Sequence, residues 1–93
     1  MANKAKASHI LVKTEQEAKD ILARIQKGES FEKLAQEKSL CPSRKKGGSL
    51  GEFGRGQMVR EFEQAVFNGK KGQIVMCKTQ FGWHVIRVED IWG

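Results

Sequence analysis

The chain has 93 residues, which is long enough for one domain with a single modest core but not for two. Lysine and arginine total 17 against 11 acidic residues, so the net charge is +6 at pH 7. This charge favours contact with nucleic acid, anionic membranes or acidic substrates without selecting one of them, because the basic residues are scattered along the sequence.

The distribution of apolar residues along the sequence predicts the cellular compartment. No apolar stretch approaches the roughly 18 residues that a membrane span needs. The first residues also lack the apolar core and the cleavage site of a signal peptide. We therefore expect a cytoplasmic protein without a membrane partner, with Cys41 and Cys77 as reduced thiols. We also expect the protein to be a monomer.

The first part of the chain contains strand and helix signals in turn. Residues 6–12 are β-prone and apolar on both faces near their end, as in a central strand. Thr14 and Glu17 have the spacing of a capping box, and apolar residues then recur at helical spacing until Gly28 stops this first helix. Ser30 is in position to cap a second helix.

The rest of the chain begins after Cys41-Pro42, where the proline displaces the preceding residue from helical backbone geometry. It contains a strand at 49–53, a helix at 59–67, and strands at 73–79 and 83–91 that are joined by a turn at Phe81-Gly82. Four strands interspersed with three helices, without a repeat or a linker, predict a single α+β domain over residues 1–93.

The segment 47–56 contains five glycines, a composition that is common in phosphate-binding loops. However, Gln57 and Met58 occupy the positions where such a loop carries the lysine and the hydroxyl that bind phosphate and magnesium. The cysteines and histidines also lack the close spacing of zinc ligands. We therefore expect neither a nucleotide nor a metal, and we expect these glycines to make tight turns.

His9 and His84 are predicted to point toward the apolar interior from strands at opposite ends of the chain. Each shares its strand face with apolar residues. A lone histidine so placed is usually a hydrogen-bonded core residue. Two of them, on strands that can pair, also fit a shared site in which one imidazole donates to the other and at least one stays neutral. The spacing leaves both interpretations open.

Cys41, Met58 and Phe62 also allow two interpretations each. A histidine-activated Cys41 would indicate a hydrolase, but the surrounding sequence SLCPS offers no oxyanion loop, and a small buried residue in a turn fits it as well. Met58 and Phe62 form an i, i+4 pair that suits a core. A methionine presented by a glycine-rich loop also suits the wall of a cleft.

Three segments closely resemble the parvulin family of peptidyl-prolyl cis/trans isomerases, and most of all its small stand-alone prokaryotic members. They are KASHILVK at 6–13, SLCPSRKKGGSLGEFGRGQMVREFEQAVF at 39–67 and TQFGWHVIRV at 79–88. The resemblance covers essentially the whole chain. It implies a parvulin-like four-stranded antiparallel sheet surrounded by three to four helices.

The resemblance also implies a set of site residues. It identifies His9 and His84 as paired active-site histidines, Thr79 as the hydroxyl that supports them, and Cys41 as the residue that faces the substrate peptide bond. It further implies an apolar proline pocket with a border, formed by Leu50, Met58 and Phe62 and by Gln57 and Phe81. No metal ligand and no cofactor are implied.

An isomerase of this family acts without covalent chemistry on proline-containing polypeptides that are unfolded or flexible. Met58 and Phe81 favour an apolar residue before proline, whereas Lys13 beside Glu15 and Glu17 makes a poor phosphate site. One alternative is a non-catalytic peptide-binding or chaperone module with the same fold. A second is a nucleic-acid binder, but the basic residues do not interleave with aromatic ones, so we expect no specific nucleic acid partner.

Overall fold

The computed structural model describes residues 2–93 and divides them into four β-strands, three α-helices and one 3₁₀ helix. The strands are β1 (Lys4–Val12), β2 (Ser49–Gly54), β3 (Ile74–Thr79) and β4 (Gly82–Trp92). The helices are α1 (Glu15–Gln26), α2 (Phe31–Lys38) and α3 (Arg60–Phe67), and the 3₁₀ helix spans Pro42–Lys46. The predicted α+β class and the predicted order of elements are confirmed.

The four strands form one antiparallel sheet in the order β2-β1-β4-β3. The first and last strands of the chain are therefore neighbours at the centre of the sheet. In their register His9 lies opposite Ile86, and Leu11 lies opposite His84. The two histidines are thus diagonal neighbours on one face, because residues two apart on a strand point to the same side.

Side-chain caps begin the first two helices as predicted. The Glu17 N–H donates to Thr14 Oγ1 at 3.2 Å at the start of α1, and the Lys33 N–H donates to Ser30 Oγ at 3.2 Å at the start of α2. Each bond satisfies one of the backbone N–H groups that a helix leaves free at its N-terminus. Shortly after α1, Gly28 has a φ of 100°, which turns the chain out of the helix.

The boundaries of all four strands and of α3 differ from the prediction by one or two residues, and two of these differences bear on the site. α3 begins at Arg60, so Met58 lies in the preceding turn and is not part of the helix. The turn between β3 and β4 occupies Gln80 and Phe81, and Gly82 is already the first residue of β4. Gly82 packs against β1 with a φ of 136°, where a Cβ would lie 2.5 Å from a main-chain carbonyl oxygen. Only glycine fits there without strain.

The core consists of two apolar clusters, one on each face of the sheet. α1 and α2 cover one face, whose buried apolar residues are Ile10, Val12, Ala18, Ile21, Phe31, Leu34, Ala35 and Val85. α3 covers the other face, whose buried apolar residues are Ala5, Ala7, Phe53, Phe62, Val66, Ile86 and Val88. The rings of His9 and His84 both pack against Phe62, so the histidines belong to the face that α3 covers.

Candidate active site

The two histidines form a directly hydrogen-bonded pair. Nδ1 of His9 lies 2.8 Å from Nδ1 of His84, and the rings are stacked with their centroids 5.0 Å apart. Phe62 packs against both rings in T-shaped arrangements, at centroid distances of 5.6 Å and 5.4 Å. His9 is 5% exposed and His84 is 4% exposed, so both rings are almost entirely buried. The structure thus brings together the two histidines that the sequence places on opposite ends of the chain.

Thr79, the last residue of β3, connects the histidine pair to the β3–β4 turn. Its Oγ1 lies 2.8 Å from His84 Nε2 and accepts the Phe81 N–H at 3.1 Å. Nε2 of His9 is buried and has no hydrogen-bond partner within residues 2–93. Buried N–H donors are left without a partner more rarely than buried acceptors. The favoured arrangement therefore leaves His9 Nε2 unprotonated, while His9 Nδ1 donates to His84 and His84 Nε2 donates to Thr79.

Burial keeps both histidines neutral near pH 7. It lowers the pKa of His9 from 6.5 to about 4, with a smaller contribution from the neighbouring His84. Burial also lowers the pKa of His84. The short contact between the two Nδ1 atoms holds a single proton, so two charged imidazoles do not fit this geometry. The pair therefore supplies polar but uncharged groups.

A cleft with a volume of about 410 Å³ borders the histidine pair. Sites for small ligands have volumes of roughly 300–1,000 Å³, so this one is of ordinary size. The cleft is lined by His9, Leu11, Leu40, Cys41, Pro42, Leu50, Gln57, Met58, Val59, Phe62, Phe81 and His84. All of the predicted catalytic and substrate-binding residues except Thr79 belong to this lining, and Thr79 is hydrogen-bonded to two of its members, His84 and Phe81.

The glycine-rich turn after β2 positions the apolar wall of the cleft. Gly56 has a φ of 85°, a conformation that residues with a side chain rarely adopt. The Gln57 side chain folds back within the same turn, where its Oε1 accepts the Gly54 N–H at 2.7 Å. Met58 then lines the cleft from the turn, and Phe62 lines it from α3. The glycines thus serve chain reversal and the presentation of apolar side chains.

Cys41 reaches the cleft from the connection between α2 and the 3₁₀ helix. The N–H of Cys41 donates to Ser39 Oγ at 3.3 Å, and the N–H of Leu40 donates to the Leu11 carbonyl at 2.8 Å, which attaches this connection to the end of β1. Within residues 2–93, the Cys41 thiol makes no hydrogen bond to either histidine. A thiol nucleophile needs such a base beside it, so the hydrolase interpretation has no structural support.

Four lining residues are absent from the sequence-based prediction of the site: Leu11, Leu40, Pro42 and Val59. Leu11 carries a usable signal, since it follows His9 by two residues on the same strand face. Leu40 carries none, because its position at the cleft results from the path of the chain after α2. A local sequence pattern does not contain that path.

Residues 2–93 contain no group of three or more His, Cys, Asp or Glu side chains that could hold a metal ion. None of the helices that they form is long and apolar enough to cross a membrane. Cys41 and Cys77 are both free thiols.

Residues 1–91 match the family described as the PPIC-type PPIase domain. The foldase protein PrsA of Geobacillus kaustophilus is 51% identical over 89 residues, which are 94% of this chain and 32% of that protein. The crystal structure of the peptidylprolyl isomerase PrsA from Bacillus anthracis is similar with a TM-score of 0.95 at 41% identity, covering 99% of this chain and 43% of that one. The solution structure of NmPin, the parvulin of Nitrosopumilus maritimus, has a TM-score of 0.84 at 42% identity and covers 100% of this chain and 99% of that one. The chain spans about a third of the length of the foldase relatives that it matches.

Proposed function

The chain belongs to the PPIC-type parvulin family of peptidyl-prolyl cis/trans isomerases, and we propose that its cleft accelerates rotation about X–Pro bonds in unfolded or flexible polypeptides with an apolar residue before proline. The observation that carries the proposal is the apolar cleft beside a buried, uncharged histidine pair. The substrates are polypeptide segments that contain proline.

Rotation about an X–Pro bond needs a suitable environment more than it needs reactive groups. Amide resonance creates a barrier of about 18–20 kcal/mol, because resonance is lost when the bond is twisted. A site lowers this barrier only if it binds the twisted amide more strongly than either planar form. In the proposed mechanism the proline ring is held against Leu50, Met58 and Phe62 while the preceding residue rotates.

The polar residues of the cleft act on the carbonyl group that rotates. Cys41 faces this peptide bond in the proposed mechanism, and the neutral His9 and His84 form the adjoining wall. A charged imidazole at this position would retain water, since desolvation of an unpaired charge is costly. Thr79 positions His84 through their 2.8 Å contact. No covalent bond breaks, so neither a nucleophile nor a metal is required.

The composition of the connection between β1 and α1 favours an apolar residue before proline over a phosphorylated one. Lys13 and Thr14 form the whole connection between β1 and α1, and the first turn of α1 carries Glu15 and Glu17. One lysine beside two carboxylates does not supply the converging donors that a phosphate dianion needs. The exposed basic run 44–46, on the 3₁₀ helix, is the competing feature that would attract acidic substrates.

We further propose that the protein works in the cytoplasm as a monomer, without nucleic acid or membrane partners. Two free thiols, Cys41 and Cys77, suit a reducing compartment. Cell fractionation with thiol alkylation tests the compartment, and sedimentation of the purified protein tests the oligomeric state. A membrane-associated fraction with oxidised cysteines, or a stable dimer, would contradict these assignments.

Turnover of matched peptides tests the proposed activity and its substrate preference. The quantity to measure is kcat/KM at physiological salt for Leu-Pro, Glu-Pro and phosphoserine-Pro peptides of otherwise identical sequence. We expect Leu-Pro to be turned over at least as well as phosphoserine-Pro. A preference of more than about tenfold for the phosphopeptide, equivalent to about 1.4 kcal/mol in transition-state binding, would contradict the apolar preference. If the folded protein accelerates cis/trans isomerisation of none of the three peptides, the proposed isomerase activity is wrong.

A further inference from the structure

Residues 39–48 lie along the edge of β1 beside the cleft. The pairing of β1 with β2 ends at Ser8. Beyond this point the His9 N–H donates to the Gly48 carbonyl at 2.9 Å, and the chains approach so closely that a Cβ on Gly48 would overlap the His9 carbonyl oxygen. The segment that carries Cys41 is therefore attached to the strand that carries His9.

The side chain of Ser39 joins the same segment to β1 at its other end. Its Oγ accepts the Leu11 N–H at 3.1 Å and the Cys41 N–H at 3.3 Å. A hydroxyl oxygen has two acceptor lone pairs, so one atom serves both N–H groups. The main-chain N–H of Ser39 donates to the Ala35 carbonyl at 3.0 Å, in the last turn of α2. Ser39 is 2% exposed, and it thus joins α2, β1 and the Cys41 segment inside the protein.

Leu11 connects this arrangement to the histidine pair. In the register of β1 and β4, Leu11 lies opposite His84, and it follows His9 by two residues on the same face. Leu11 and Cys41 both line the cleft, whereas Ser39 is not part of the lining. A displacement of Cys41 from Leu11 would therefore also change its position relative to both histidines. The Ser39 hydroxyl opposes this displacement, because it accepts an N–H group from each of the two residues.

We propose that Ser39 is a positioning residue of the active site, whose hydroxyl holds Cys41 in place beside the histidine pair. The inference rests on the proposed function, in which Cys41 faces the rotating peptide bond. Ser39 does not touch the substrate in this mechanism, and it acts through the two cleft residues whose N–H groups it accepts. Small displacements matter at such a site, because catalysis depends on how closely the groups fit the twisted amide.

The proline pocket is built from other parts of the chain. Its wall comes from β2, the turn that follows and α3. The side chain of Ser39 bonds instead to β1 and to the segment after α2. Loss of the hydroxyl is therefore expected to slow the rotation step and to leave substrate binding nearly unchanged, so that kcat falls while KM stays close to the wild-type value. A serine that only supports the fold would lower the amount of folded protein without this split.

The variants Ser39→Ala and Ser39→Thr test the hydroxyl. The quantities to measure are kcat and KM for a Leu-Pro peptide, per folded molecule. We expect Ser39→Ala to lower kcat about tenfold at wild-type KM, because two N–H groups lose their acceptor. Ser39→Thr keeps the hydroxyl, so it should recover most of kcat. Amide hydrogen exchange at Leu11 and Cys41 should be faster in Ser39→Ala but not in Ser39→Thr, which reports the two bonds independently of activity.

Ser8→Ala is the matched control. Ser8 is 1% exposed and lies on β1, and its Oγ donates to Glu89 Oε2 at 2.9 Å. Neither Ser8 nor Glu89 lines the cleft. The control variant also loses a buried serine hydroxyl and its hydrogen bond, so we expect a lower melting temperature together with wild-type kcat.

Several results would overturn the assignment. They are wild-type kcat or unchanged amide exchange in Ser39→Ala, an equal fall of kcat in Ser8→Ala, and a raised KM at unchanged kcat. A kcat in Ser39→Thr as low as in Ser39→Ala, with a wild-type melting temperature, would also overturn it. If Ser39→Ala fails to fold, Ser39→Cys replaces it with the same expectations, because a thiol sulfur is a weak acceptor. Wild-type protein that does not accelerate isomerisation would instead refute the proposed function, so the two failures are distinguishable.

Discussion

Mild acidification is expected to destabilise the protein through its buried histidines. The pKa of His9 is about 4 in the folded protein, against 6.5 without burial. Between these values the unfolded chain binds a proton that the folded chain does not, so stability falls as the pH decreases from about 6.5 toward 4 and is restored above 6.5. At about 1.36 kcal/mol per pKa unit, His9 alone removes about 2 kcal/mol between pH 7 and pH 5. The pKa of His84 is lowered as well and adds to the loss.

Urea unfolding of wild-type protein and the His9→Asn variant at pH 7 and pH 5 measures this loss. The chain has 2 histidines, and carboxylates titrate mainly below pH 5, so the change in this window belongs to the imidazoles. We expect wild-type protein to lose at least about 2 kcal/mol and the variant to lose clearly less, because it retains only His84. An equal loss in both proteins would refute the conclusion that burial holds His9 neutral.

The remaining predictions concern single residues. Met58→Ala should lower kcat/KM for a Leu-Pro peptide about tenfold. The control is Met76→Ala, because Met76 packs on the opposite face of the sheet. This control variant should have a lower melting temperature but wild-type turnover per folded molecule. Equal losses of turnover would remove Met58 from the proline pocket. Cys41→Asp should keep partial activity. Cys41→Ala should lose more activity than Cys77→Ala, since Cys41 lines the cleft and Cys77 does not. Equal losses of activity in the two alanine variants would contradict the assignment of Cys41 to the site. Gly82→Ala should destabilise the fold by roughly 1–3 kcal/mol, because its φ of 136° strains any side chain. An unchanged melting temperature would show that β4 can shift to accommodate a Cβ.

The elements of the fold were predictable where neighbours in the sequence determine them. The caps at Thr14 and Ser30 act over three residues, so the helix starts are visible in the sequence. The family resemblance implied a four-stranded antiparallel sheet, but the order of its strands was not predicted, because the pairing of β1 with β4 brings together residues such as His9 and His84, which are 75 positions apart. The pairing of β1 with β4 shifts register between Lys6 and Ala7, and nothing in the neighbouring sequence predicts this shift. Such register shifts depend on how two strands fit together, which neither strand encodes alone.

The candidate site was predictable to a smaller extent. Strand alternation placed His9 and His84 on inward faces, but the assignment of Thr79 and of the proline pocket came from the resemblance. The direct contact between the two Nδ1 atoms depends on strand register and ring orientation, which tertiary packing decides. Leu40 was missed for a related reason. Exposure of an apolar residue at a cleft is a property of the assembled surface.

Exchange NMR of an unmodified Leu-Pro peptide, with substoichiometric wild-type protein and a metal chelator present, tests the central claim most directly. It reports binding and isomerisation in the same sample. Without a catalyst, cis and trans forms interconvert over tens to hundreds of seconds at 25 °C. We expect the protein to bring the exchange of the two forms to well below a second, with no effect of the chelator. Peptide signals that shift on binding while cis/trans exchange stays at its uncatalysed rate would contradict the isomerase assignment and identify a non-catalytic peptide-binding module.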